Sequence, residues 1–347
     1  MSFNQIVRIG LIVLLLIIGA TAGAYWYYFV YQPSSHSMQP DTVVQSQTYP
    51  IAHPQEVENG HLYLTLQTAT GDFQVPTLYQ LSAHGGMELR SKGLTAVDEI
   101  ISPTGNGSAF IAYPSVAFEE QFGTPHNIMQ VMVSDATGYI RPLTMSTTTP
   151  RKFGPTWSPD GSRVAFMASS SKESIGEGDA EVWDVYVTDM SGHETFVTSG
   201  SYPQWNQQGD ALYVLKADGI YMVDLATKHA VAVYTAEDQL TWADTFVRDA
   251  SSTHFALVQP KQKMIRVFKE GMNQLEKVAE LAMPVNTAVF SPTGDVLAVL
   301  TALESDQYPR LSFVDWSTGE TIDTIGLPGF SADFLLVTDW VSNPAGT

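Results

Sequence analysis

The sequence predicts an all-β fold, a six-bladed β-propeller preceded by one N-terminal transmembrane α-helix. Three observations carry that expectation. They are an apolar run near the start of the chain, a Pro-rich polar stretch behind it, and a turn-and-strand unit that recurs from residue 60 to the end.

Residues 1–8 read as a short cytoplasmic N-terminus and residues 9–30 as the membrane helix, a signal anchor. Ile9 to Val30 carries no charge, and its 22 residues at about 1.5 Å rise each match the roughly 30 Å hydrocarbon core of a bilayer. Tyr25, Trp26, Tyr27, Tyr28 and Tyr31 crowd the C-terminal end, where rings with an apolar body and a polar tip favour the membrane interface. Arg8 precedes the run and no Lys or Arg follows before Arg90. The positive-inside rule then leaves the N-terminus cytoplasmic, with a single pass through the cell membrane and the rest extracytoplasmic or periplasmic. The competing reading is a cleaved signal peptide, since Ala20-Thr21-Ala22 and Ala22-Gly23-Ala24 both offer a cleavage pattern. Either way the bulk of the chain is exported.

Residues 31–59 read as a flexible stalk. The segment is rich in Pro, Ser, Gln and Thr, with Pro33, Pro40, Pro50 and Pro54, and has too little apolar surface to order itself. Composition narrows the partners. Lys and Arg number 17 against 36 Asp and Glu, a net charge of -19 without a basic cluster, which excludes nucleic acid as a partner. The chain has no cysteine, which removes disulfides, thiolate metal sites, cysteine nucleophiles and a lipid-attachment cysteine together. An anchor must therefore be a helix.

Residues 60–347 carry the repeats. The clearest unit is Phe153-Gly154-Pro155-Thr156-Trp157-Ser158-Pro159-Asp160-Gly161, followed by the strand Arg163 to Ala168. An aromatic ends one strand, Pro presets the turn, and Gly takes the left-handed corner. The unit returns as Ile101 to Gly105, as Trp205 to Gly209, and as Phe290-Ser291-Pro292-Thr293-Gly294. Degraded copies are read at Phe246 to Ala250 and Trp340 to Pro344, giving a glycine slot every 41 to 56 residues, the length of a four-stranded blade. A second feature recurs behind the first. Strands end in Asp135, Asp189, Asp224 and Asp315, each followed by a tight turn whose amides the carboxylate can accept. Such repetition favours a structural role over catalysis. Each repeat supplies three strands of its own blade and the innermost strand of the next. The strand Phe334 to Trp340 pairs with His61 to Leu66 to close the ring, and seven blades is the alternative count.

The Trp157–Gly161 unit and its following strand resemble the PD40, WD40-like repeat of TolB-like propellers, and the likeness runs from about residue 60 to the end. The resemblance implies a six-bladed fold and a tendency to bind proteins or peptides. The extra α/β domain of TolB and the hydrolase domain of propeller peptidases have no counterpart here. Neither the partner set of the one nor the activity of the other is implied.

No catalytic residue is singled out. There is no nucleophile elbow, no zincin spacing after His193-Glu194, and no phosphate loop. Calcium is the one cofactor the composition admits, through Glu173, Glu177, Asp179, Glu181 and Asp184, but the spacing is not that of a known calcium loop, and no metal ligand is assigned. The long loops are expected on one face of the propeller, opposite the short turns. They contain Asp72 and Phe73; Phe118, Glu119, Glu120 and Phe122; Glu173, Glu177, Asp179 and Glu181; and Glu304, Asp306 and Tyr308. Acidic loops with aromatic anchors on a rigid scaffold suit a basic protein or peptide partner in the cell envelope. The chain thus reads as a binding module rather than an enzyme. The rivals are a metal-dependent, lactonase-like hydrolase using Asp98, Glu99, Asn206, Asp244, Asn286 and Asp339 of the inner strands, and a structural part of an envelope assembly.

Overall fold

The computed structural model describes residues 60–342 except 71–72, 82–86, 90–94, 105–106, 115, 126–127, 150, 170–182, 242, 250–252, 272–273, 302–307 and 328–334. The expected helix at 9–30 and stalk at 31–59 lie outside the described residues. Among the described residues no helix is long and apolar enough to cross a membrane.

β1 (Gly60–Thr70), β2 (Phe73–Leu81) and β3 (Met87–Leu89) come first among the described residues, and five consecutive four-stranded meanders follow. Blade 2 is β4 (Thr95–Ile101), β5 (Gly107–Tyr113), β6 (Gln130–Asp135) and β7 (Ile140–Pro142). Blade 3 is β8 (Arg151–Trp157), β9 (Arg163–Ser169), β10 (Asp184–Asp189) and β11 (Glu194–Ser199). Blade 4 is β12 (Ser201–Trp205), β13 (Ala211–Lys216), β14 (Gly219–Asp224) and β15 (Ala230–Thr235). Blade 5 is β16 (Thr245–Arg248), β17 (His254–Gln259), β18 (Met264–Glu270) and β19 (Leu275–Ala282). Blade 6 is β20 (Thr287–Phe290), β21 (Val296–Thr301), β22 (Arg310–Asp315) and β23 (Glu320–Gly326). The last strand, β24 (Leu335–Ser342), pairs antiparallel with β1 and makes a composite sheet in the order β24-β1-β2-β3. Inner strands β4, β8, β12, β16, β20 and β24 each pack against the next, and β24 packs against β4, so the ring closes. The fold is an all-β propeller.

Burial explains the strand sequences. Each sheet is sandwiched between its neighbours, so its middle strands are apolar on both faces. β21 (VLAVLT) is buried at every position and β13 (ALYVLK) at all but its last. Outer strands meet solvent, and β15 and β11 keep one buried residue each, Val233 and Val197. The core is a series of layers between blades. Val258 and Val267 of blade 5 meet Phe290, Leu297 and Val314 of blade 6. Ile111 and Val131 of blade 2 likewise meet Val164 and Phe166 of blade 3.

The repeated turns do what their residues predict. Ser158 N donates to Arg163 O at 2.9 Å, Gly161 N donates to Ser158 O at 2.8 Å, and Gly161 takes φ +68°. Asp160 accepts from Ser158 Oγ and from Ser162 N and Oγ, which holds its carboxyl down at about 2. The second set of turns is equally regular. Asp189 Oδ1 accepts from Ser191 N (2.9 Å), Ser191 Oγ (2.5 Å) and His193 N (3.1 Å). Asp135, Asp224 and Asp315 repeat the pattern.

The motif tryptophans fasten blades together. Trp205 Nε1 donates to Thr156 O at 3.0 Å, and Trp157 Nε1 to Ile100 O at 3.3 Å, each reaching the inner strand of the preceding blade. One expected unit needs correction. In blade 5 the aromatic slot is held not by Phe246 but by Arg248. Arg248 pairs with Phe255 as Trp157 pairs with Val164 and Trp205 with Leu212, and Asp249 N donates to His254 O at 3.0 Å to open the turn. The glycine slot therefore falls at 252 rather than Ala250, outside the described residues. Arg248 still donates to Trp205 O across the blade boundary, as the tryptophans do.

Candidate functional site

In an antiparallel meander the first and third connections of a blade share one edge, and the second connection shares the other with the crossing to the next blade. The Ser-Pro-Asp-Gly turns and Asp turns thus form a turn face. The connections β1–β2, β5–β6, β9–β10 and β21–β22 share the opposite, loop face; the first of them is not the expected long loop but a hairpin, whose strands stay paired from Gln67↔Pro76 to Thr70↔Phe73.

The β5–β6 connection is more ordered than a loop. It carries the helix α1 (Val116–Phe122), with Glu119 in its first turn. Gly123, at φ +69°, ends the helix with its N–H on Glu119 O at 2.8 Å. On α1, Glu120 is exposed, while Glu119 and Phe122 are half-buried. Phe73 begins β2 and Phe118 lies within α1. Tyr308 is half-buried, its ring so close over Gly326 that a Cβ there would lie 2.4 Å from Tyr308 Cε2. It is a packed ring rather than a free anchor. Asp72, Glu173, Glu177, Asp179, Glu181, Glu304 and Asp306 lie outside the described residues, while Asp184, the last of the expected calcium donors, begins β10 and accepts from Ser199 Oγ at 2.7 Å.

The inner-strand carboxylates are spread among structural tasks. Asp98 sits in a bulge of β4 at φ +55°, a conformation Asp tolerates, and its Oδ2 accepts from Gly154 N of the next blade at 3.1 Å. Burial pushes its carboxyl up, against the opposing pull of that amide. Glu99 is buried and its Oε1 accepts from Ser108 Oγ at 2.5 Å. Asp244 is buried too, and its Oδ2 accepts from Thr241 N at 2.5 Å and Thr241 Oγ1 at 3.1 Å. Asn206 is not in the channel at all. It opens the blade 4 turn, accepting from Asp210 N and Ala211 N. Among the described residues no three His, Asp or Glu side chains gather where they could hold a metal ion.

Sequence reasoning missed one polar cluster on the loop side. Lys152 is fully buried at the start of β8 and donates to Met129 O and Thr149 O, both at 2.9 Å. Burial pulls its ammonium down to about 8, with Glu194 pulling the other way.

No protein-family profile matches the chain, and no curated protein does. Solved structures do match. TolB from Acinetobacter baumannii is 16% identical, with 82% of this chain and 67% of that one covered and a TM-score of 0.58. A chain of a nidogen/laminin complex is 10% identical, covering 80% and 97% at a TM-score of 0.53. A periplasmic gluconolactonase from Pseudomonas aeruginosa is 13% identical, covering 78% and 84% at a TM-score of 0.50. These likenesses show the fold, a β-propeller.

Proposed function

We propose that this chain is a membrane-anchored, extracytoplasmic propeller whose acidic loop face binds a basic protein or peptide of the cell envelope. In this reading residues 9–30 are the anchor, residues 31–59 the spacer, and the composite sheet the sixth blade. It asks for no cofactor. The observation that carries it is a division of labour among carboxylates. Asp98 and Glu99 are engaged between strands and blades, while Glu120 stands exposed on α1 in one of the long loops. A rigid ring with charged, accessible loops suits recognition more than acid–base chemistry.

A photo-crosslinking pull-down from intact membranes tests it. The full-length chain is compared with a variant in which Glu119, Glu120, Glu173, Glu177, Asp179 and Glu181 become Gln or Asn. The expected result is one basic envelope partner captured by the first and lost by the second. A partner retained by both puts the interface elsewhere.

A propeller hydrolase is the second reading, and Asp244 favours it. Its Oδ1 is buried with no hydrogen-bond partner among the described residues, which leaves an oxygen available to a cation. Calcium titration of Asp244→Asn against the parent, followed by lactone hydrolysis, separates the two readings.

A further inference from the structure

We propose a second site, independent of the loop face: a pocket on the turn face that takes a free α-amino acid with an apolar side chain. A cavity of about 210 Å³ lies where the turns of blade 2 meet those of blade 3. Its lining includes Ser134, Asp135, Tyr139, Arg141, Trp157 and Met190. That size is below the range of most ligand pockets, about 300–1,000 Å³, and so suits a small molecule.

Two groups of opposite charge converge on it. Arg141 Nη2 donates to Met190 O at 3.0 Å, which fixes the guanidinium; among the described residues its other N–H groups have no partner. They form a donor fork of the kind that grips a carboxylate. Asp135 accepts all three of its turn bonds on Oδ1, from Thr137 N at 2.8 Å, Thr137 Oγ1 at 2.6 Å and Tyr139 N at 3.1 Å. Its Oδ2 takes none of these bonds and remains an anionic acceptor.

Spacing points to a zwitterion. Val133 pairs with Arg141 across the β6–β7 hairpin, and Asp135 is two residues along on the same face. Such diagonal neighbours are about 7–8 Å apart. Among the described residues the two make no ion pair with each other. An α-amino acid bridges them, carboxylate to Arg141 and ammonium to Asp135. Its side chain then meets Trp157, Met190 and the ring of Tyr139, which is 52% exposed. A peptide C-terminus would satisfy Arg141 alone, and a simple amine only Asp135.

Isothermal titration of the full-length protein in nanodiscs tests the proposal with leucine, methionine and phenylalanine. N-acetyl-leucine, which lacks the ammonium, and leucinamide, which lacks the carboxylate, are the controls. Saturable binding is expected for at least one free amino acid, weakened about tenfold or more for both derivatives, a loss of one charged contact. Arg141→Gln and Asp135→Asn should each weaken it similarly with an unchanged circular dichroism spectrum; Asn keeps the turn acceptor and removes only the charge. Binding of N-acetyl-leucine as tight as leucine, binding untouched by both variants, or no saturation up to about 10 mM, where affinity falls below about 3 kcal/mol, overturns the proposal. Each of these outcomes leaves the loop-face reading where it was.

Discussion

Lys152 is a fully buried cation. Its two carbonyl partners satisfy part of the ammonium, and burial still lowers its affinity for the proton to about 8. From about pH 8 to 10.5 the folded chain has released a proton that the unfolded chain keeps, so stability rises with pH across that window. The slope from this one group is at most about 1.4 kcal/mol per pH unit. Urea unfolding across that window should show the rise in the parent and lose it in Lys152→Met; equal slopes would mean the lysine titrates normally. This site was invisible in the sequence. Arg151-Lys152 reads as an ordinary basic pair before a strand, and nothing local says that the Met129 and Thr149 carbonyls enclose one of them. The turn aspartates were legible for the opposite reason. Asp189 and Ser191, or Asp315 and Ser317, bond within two residues, so their geometry is written in a few neighbouring letters.

Elements carry the inter-blade fastening. Trp205 is fully buried, donates to Thr156 O, and lies under the Arg163 guanidinium at 4.8 Å. Trp205→Phe keeps most of the packing and removes the donor, a loss of roughly 1–3 kcal/mol in the urea midpoint free energy. Trp157→Phe should lose less, because that bond is longer at 3.3 Å and the ring is partly exposed. The reverse order would mean that the indole bonds do not hold the blades. Repeats of this strength made the inner strands readable to within a few residues. Blade 5 misled the reading by two positions because Phe246 is aromatic and buried, whereas the slot holds Arg248. The helix α1 was read as loop. Its signal was present: Pro114 and Gly123 bracket a stretch without Gly or Pro, with an acid in the first turn.

The whole molecule depends on where its ends meet. β24 supplies the inner strand of the composite sheet and touches β20 on one side and β4 on the other. Truncation after residue 334 removes that strand, leaves β1 with an open edge and breaks the ring of inner strands. The truncated chain should lose cooperative thermal unfolding and aggregate; a sharp transition near the parent's would show that the ring holds without closure. This long-range pairing was predictable only because the repeat leaves one strand over at each end. Which face meets a partner is a question at the same scale, and the absence of cysteine makes it simple to ask. Single cysteines at Glu120 on the loop face and Ser162 on the turn face would be labelled with a bulky maleimide in intact membranes and in the purified protein. The account predicts that Glu120→Cys is protected in membranes and reactive once purified, while Ser162→Cys reacts equally in both. Equal labelling of Glu120→Cys in the two settings, or protection of Ser162→Cys instead, would contradict it.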